Sequence, residues 1–268
     1  MKKAIQFIFL ILPILFGGCN AFEYHPYDGR ITGATNINVK NIERIETNCA
    51  GRDSIRFIVM GDTQRHYDET EAFVKAANRR TDIDFIIHGG DISDFGVTKE
   101  FMWMRDIMNK LHAPYVVILG NHDCLGNGEE IYNKIFGKEN FTFMAGNVKF
   151  VCLNTNAMEY DYSRPVPDFG FIEEEYEKHT EGHEKTVVAM HVPPYSGDFN
   201  NNVARVFQHE INMFPNLQFC LHAHEHELLV NDIFNDGIIY YGSDYIKKRS
   251  YLLFTITKDE YTYEVVYY

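Results

Sequence analysis

Residues able to hold a divalent cation recur in short blocks along this sequence. Asp62 lies in Gly61-Asp62-Thr63-Gln64, Asp91 in Gly90-Asp91-Ile92-Ser93-Asp94, and Asn121 in Gly120-Asn121-His122-Asp123. His191 stands alone, and His222, His224 and His226 close the series. Mixed carboxylate, amide and imidazole ligands suit ions such as Mn, Fe, Zn or Ni, whereas the lack of clustered thiolates argues against a Cys-type structural zinc site. A carboxylate shared by two cations about 3.5 to 4 Å apart lets them clamp a phosphoryl group and generate hydroxide near neutral pH. Each residue alone has a plainer reading: an Asp after a strand caps a turn or helix, and a lone His is more often a surface or satisfied core residue. Their recurrence at the same kind of place favours chemistry.

That place is the end of an apolar run. The runs are Ile55 to Met60, Phe85 to His88, Tyr115 to Leu119, Thr186 to Met190 and Leu217 to Leu221. Helix-like stretches at Asp68 to Arg80 and Thr98 to Leu111 separate the first three. Further strands are expected at Phe141 to Met144 and Val148 to Leu153, then a Pro-rich loop at 163–167 and helices at Phe169 to His179 and near Asn200 to Met213. From Leu228 to Tyr268 the pattern is of short aromatic and β-branched strands. Buried strands alternating with helices indicate an α/β core, whose ligands bind at the carboxyl ends of the strands. His88, inside an apolar run, reads as a core residue or a support for the ligands. Tyr195, four residues after His191, lies on a loop able to border a substrate. There is no internal repeat, so 55–268 reads as one domain.

The blocks, in this order, resemble the signature of the calcineurin-like metallophosphoesterases: an Asp-x-His block, GDxxD, GNH followed by Asp or Glu, an isolated His, and GHxH. The resemblance spans residues 61 to 226. It implies a four-layer α-β-β-α sandwich with two mixed sheets packed together, and hydrolysis of a phosphomonoester or phosphodiester at a two-metal centre of Mn, Fe or Zn. One metal would be held by Asp62, Asp91 and His226 with Gln64 as a weak ligand, the other by Asp91, Asn121, His191 and His224, with Asp91 bridging. His122 would protonate the leaving oxygen or stabilise phosphoryl charge, with Asp123 orienting it, and a metal-bound hydroxide would displace the leaving group in line. Gln64 stands where the family often has His, and a neutral amide binds a transition metal less strongly than imidazole. His222-Ala223-His224 offers a second register. His224 and His226 are preferred because Ala223 then takes the small-residue position and Leu217 to Leu221 stays a complete strand. The other function class is a metal-dependent binding module with weakened catalysis, against which the intact His122 speaks.

The N-terminus reads as an address. Lys2 and Lys3 precede a largely apolar stretch, Ala4 to Phe16, and Leu15-Phe16-Gly17-Gly18-Cys19 resembles a bacterial lipobox, departing from it at Phe16. It implies a signal peptide over 1–18, lipidation of Cys19, and an extracytoplasmic protein that meets the membrane through its acyl chains alone. The alternative is an ordinary cleaved signal with an incidental Cys. Residues 19–54 read as a polar tether and N-terminal extension with a short strand around Ile42 to Ile45. The remaining cysteines, Cys49, Cys124, Cys152 and Cys220, match no CxxC pattern. A formal charge of -13, or -15 once Lys2 and Lys3 are removed, repels polyphosphate backbones, so no nucleic-acid partner is expected. The expected substrate is a phosphorylated small molecule or envelope component; nothing in the sequence specifies an oligomeric state.

Overall fold

The computed structural model describes residues 27–160 and 164–268. The signal peptide, Cys19 and Ser163 of the Pro-rich loop lie outside the described residues. Eleven strands form two sheets among the described residues. In the first, β1 (Ile55–Met60), β2 (Phe85–His88) and β3 (Tyr115–Val117) run parallel, and β10 (Ser250–Ile256) and β11 (Tyr261–Tyr267) add antiparallel, giving the order β11-β10-β1-β2-β3. The second has the order β4-β5-β6-β7-β9-β8. Its strands are β4 (Phe141–Ala145), β5 (Val148–Leu153), β6 (Lys185–Met190), β7 (Leu217–His222), β8 (Leu229–Asn231) and β9 (Tyr240–Gly242), with β5, β6, β7 and β9 parallel. Both sheets are mixed.

Side chains of a strand alternate between its faces, so each central strand feeds two apolar layers. Phe57, Phe85, Phe143, Phe150, Phe219 and Phe254 fill the layer between the sheets. Ile58, Met60 and Ile86 face outward to Phe73, Phe101 and Tyr132 of the helices α2 (Tyr67–Ala77), α3 (Thr98–Met108) and α4 (Gly128–Ile135). On the other side Val151, Val188 and Cys220 meet Ile172 and Phe207 of α5 (Phe169–Glu177) and α6 (Ala204–Ile211). The result is the four-layer α-β-β-α sandwich. Its parallel strands all point the same way, so the ends of β1, β2, β3, β6 and β7 open on one edge.

Two elements differ from the sequence reading. The strand expected around Ile42 to Ile45, within the segment read as a tether, is part of a helix, α1 (Ile37–Cys49). Its inward positions Ile37, Asn41, Ile45 and Cys49 are four apart, but the Asn hides the apolar stripe. The Asn residues are buried for a reason. Asn38 Nδ2 donates to Val117 O at 2.8 Å, Val117 N donates to Asn38 Oδ1 at 2.9 Å, and Asn41 Nδ2 donates to Tyr115 O at 2.7 Å. Side-chain amides thus take the place of a next strand along the open edge of β3. The short helix α4 has no counterpart in the sequence reading, because Gly126-Asn127-Gly128 at its start carries a turn signal. Cys49, Cys124, Cys152 and Cys220 are free thiols, and no helix among the described residues is long and apolar enough to cross a membrane.

Candidate metal centre

The loops that leave β1 and β2 brace each other: Asp62 N donates to Gly90 O at 3.0 Å and Gln64 N to Asp91 O at 2.9 Å. To hold these side chains inward the backbone turns left-handed at five of the candidate ligands, with φ of 50° at Asp62, 38° at Gln64, 57° at Asp91, 69° at His224 and 56° at His226. Non-glycine residues pay about 1 to 3 kcal/mol each for such conformations, which persist where the surroundings enforce them, often at functional sites. Gly120 makes room as well. A Cβ there would overlap the backbone N and the Oδ1 of Asp91.

Asp62, Asp91 and His191, all buried, each offer an atom within 4.8 Å of the others. Around them His191 Nε2 lies 3.3 Å from Asp91 Oδ1 and 3.0 Å from Asn121 Oδ1. His224 Nδ1 approaches the same Asn121 oxygen at 3.1 Å. On the other side His226 Nε2 lies 3.4 Å from Asp62 Oδ1, and Gln64 Nε2 donates to Asp91 Oδ2 at 3.1 Å. The fold therefore gathers all seven expected ligands, in the register that uses His224 and His226. His222 instead lies buried at the end of β7 with Nδ1 2.9 Å from Ala223 O, and burial pulls its imidazole down to about 4.

The donor set fits divalent cations. Asp62 Oδ1 is buried without a hydrogen bond, an orphaned acceptor among ligand atoms. His191 is subject to burial, which lowers its pKa, but the Asp91 carboxylate outweighs that and holds it up at about 9. Burial likewise opposes charge on Asp91, yet His191 and His122 hold its carboxyl down at about 2. The raised imidazole and the lowered carboxyl share one cause, a buried place where carboxylates favour a positive charge.

His122 stands beside this group, its backbone N donating to Asp91 Oδ1 at 3.0 Å and its Nδ1 2.7 Å from Asp94 O. Since a carbonyl only accepts, Nδ1 carries the hydrogen and Nε2 faces away from this bond. The expectation that Asp123 orients His122 is corrected. Asp123 is fully buried and its carboxylate accepts from Ile92 N, Ser93 N, Ser93 Oγ and Gly120 N at 2.8 to 3.2 Å, so it ties the Asp91 loop to the Asn121 loop. Burial and the nearby Asp91 charge raise its carboxyl.

Sequence reasoning gave no role to Asp94, although the GDxxD spacing marked it. Besides its carbonyl, its carboxylate lies 3.9 Å from His122 Nδ1 and 3.3 Å from Arg65 Nη2. Asp198, 3.2 Å from His224 Nε2, carried no sequence signal. His88 supports the Asp91 loop: its Nδ1 accepts from Gly90 N at 3.2 Å and its Nε2 meets Thr63 Oγ1 at 2.9 Å. Tyr195 is exposed on the loop after His191.

With that geometry, comparisons with known proteins agree. The model of a family described as calcineurin-like phosphoesterase matches residues 55–228. A 3',5'-cyclic-nucleotide phosphodiesterase of Nostoc sp. (strain PCC 7120) is 24% identical over 170 residues, 59% of this chain and 63% of that protein. The uncharacterized protein YvnB of Bacillus subtilis (strain 168) is 22% identical over 216 residues, 69% of this chain and 16% of that protein. The matches thus span less than two thirds of either relative. Among solved structures, the purple acid phosphatase PPD1 of yellow lupin (Lupinus luteus) superposes with a TM-score of 0.59 at 14% identity, covering 81% of this chain and 52% of that one. A dimetal phosphatase of Danio rerio gives 0.59 at 10% identity, covering 79% and 95%. At these identities the structures speak for the fold.

Proposed function

The chain belongs to the calcineurin-like phosphoesterase family, and from that premise we propose that it is a metal-dependent hydrolase of a phosphomonoester or phosphodiester working at a two-metal centre. The observation that carries this reading is the buried Asp62, Asp91 and His191 group with His122 beside it. Asp62, Gln64, Asp91 and His226 would hold one cation, and Asp91, Asn121, His191 and His224 the other. Bound cations of this kind supply Lewis acidity to phosphoryl oxygens and lower the pKa of water. The chain's own contribution is orientation and proton supply. His122, its Nδ1 hydrogen held by Asp94, presents Nε2 to donate to the leaving oxygen or to a phosphoryl oxygen. Asp123 keeps the Asp91 and Asn121 loops in register.

Purified protein loaded with Mn, Fe or Zn should hydrolyse p-nitrophenyl phosphate or its bis ester. His122→Ala should greatly reduce turnover while metal content stays unchanged. The activity named for the Nostoc relative makes a 3',5'-cyclic nucleotide a further arm of the substrate panel. No hydrolysis of any ester by metal-loaded protein would refute the reading. Lipidation of Cys19 and an extracytoplasmic location belong to the same proposal, supported by the sequence of residues 2–19. Mass spectrometry of the mature N-terminus should find a diacylglyceryl adduct on Cys19; an unmodified thiol would refute that part.

A further inference from the structure

We propose that Asp198 is a positioning residue for His224: it accepts the hydrogen of Nε2 and so keeps Nδ1 bare and aimed at the ligand cluster. The inference rests on the metal centre proposed above.

A neutral imidazole carries a hydrogen on one nitrogen and a lone pair on the other, and only the lone pair can bind a cation. For His191 the fold makes the choice with backbone: Nδ1 lies 2.8 Å from Gly89 O, which fixes the hydrogen there and turns Nε2 toward Asn121 and Asp91. For His224 the geometry is the reverse. Nδ1 faces Asn121 Oδ1 at 3.1 Å and Nε2 faces Asp198 Oδ2 at 3.2 Å; both oxygens accept, but the charged carboxylate is the stronger acceptor and favours the hydrogen on Nε2, which leaves Nδ1 for a cation. A carboxylate behind a ligating imidazole selects the tautomer, fixes the ring and raises its basicity.

Asp198 is itself held in place. Its carbonyl accepts from Met158 N at 3.3 Å, and the next residue, Phe199, is buried with its ring 5.4 Å from that of Phe207. It lies on the loop that leaves His191, so one loop supplies a ligand and the support for a second. Unlike the backbone carbonyl behind His191, the support of His224 is a side chain that is 36% exposed, so it can be replaced without opening the core.

The test compares wild type, Asp198→Asn and Asp198→Glu by competition of bound Mn or Zn against a chromogenic chelator. Asparagine keeps the shape but can present its amide hydrogens to Nε2. The expected result is a loss of about 10 to 100-fold in affinity for one metal equivalent only, with the other unchanged. Asp198→Glu should restore part of the loss. Imidazole 15N shifts should report hydrogen on Nε2 of His224 in the wild type and a mixed tautomer in Asp198→Asn. In a His224→Ala background Asp198→Asn should have no further effect, which separates positioning from general loosening. Unchanged affinity for both equivalents, equal loss of both, or an unchanged tautomer would overturn the inference. Failure of the wild type to bind any metal would instead overturn the parent reading.

Discussion

The two corners of the site are built from different amounts of protein. At one, His191 is fully buried and bonded behind by Gly89 O, Asn121 Oδ1 lies between two imidazoles, and His224 is backed by Asp198. At the other, Asp62 is buried, but Gln64 offers only an amide and His226 is 41% exposed, stacked on Tyr245 at 4.9 Å. A ligand set already held in position loses less freedom on binding a cation than one still to be ordered. The Asn121 corner should therefore bind its metal tightly and the Gln64 corner weakly, with Asp91 shared by both.

The largest effect should come from removing what the corners share. Asp91→Ala should lose both metal equivalents, measured by elemental analysis after gel filtration, and hydrolysis should fall below detection; retention of either equivalent would break the idea of a bridge. Next, His122→Ala should lower kcat by about 10² to 10⁴-fold with both equivalents kept, because only its backbone N bonds Asp91 and its imidazole, held by Asp94, belongs to neither corner. A smaller change sharpens the contrast itself. Gln64→His should tighten the weaker equivalent by about tenfold and leave the stronger one alone, since imidazole is the better ligand. Equal tightening of both would show that the corners are not distinct.

A last effect, on stability and not on metal binding, concerns the buried imidazoles beside the ligand loops. Burial pulls His88 from 6.5 to about 3 and His222 from 6.5 to about 4. Neutral His88 is also what its contacts require, because its Nδ1 accepts from Gly90 N. The unfolded chain takes up protons below about pH 6.5, whereas the folded chain does so only near the lowered values. Stability is thus whole above 6.5 and declines as pH falls toward 4 and then 3, by up to about 1.4 kcal/mol per pH unit for each group. Urea unfolding between pH 7.5 and 4.5 should show this slope, reduced in His222→Gln; the same slope in the variant would contradict the assignment.

These contrasts also mark where the sequence was readable. The strand ends announced themselves because apolar runs followed by Gly and a polar group have a single structural reading, and the ligands come along with them. Left-handed backbone at Asp62, Gln64, Asp91, His224 and His226 was not readable, because such residues carry no glycine to mark the turn. Nor was α1, whose inward Asn38 and Asn41 look like surface until the edge of β3 is there to meet them. The resemblance implies that Asp123 orients His122, but the turn at His122–Cys124 sends the two side chains to different partners. Asp198 answers to His224 from another loop, a pairing that only the tertiary structure creates.

The most direct test of the account is one titration: chelator-stripped protein receives Mn in increments while bound metal and hydrolysis of p-nitrophenyl phosphate and its bis ester are followed together. The account predicts a tight first equivalent, a weaker second, and hydrolysis that rises with the second and stops rising when two are bound. Stripped protein that hydrolyses as fast as loaded protein, or protein that takes up no metal, would contradict it.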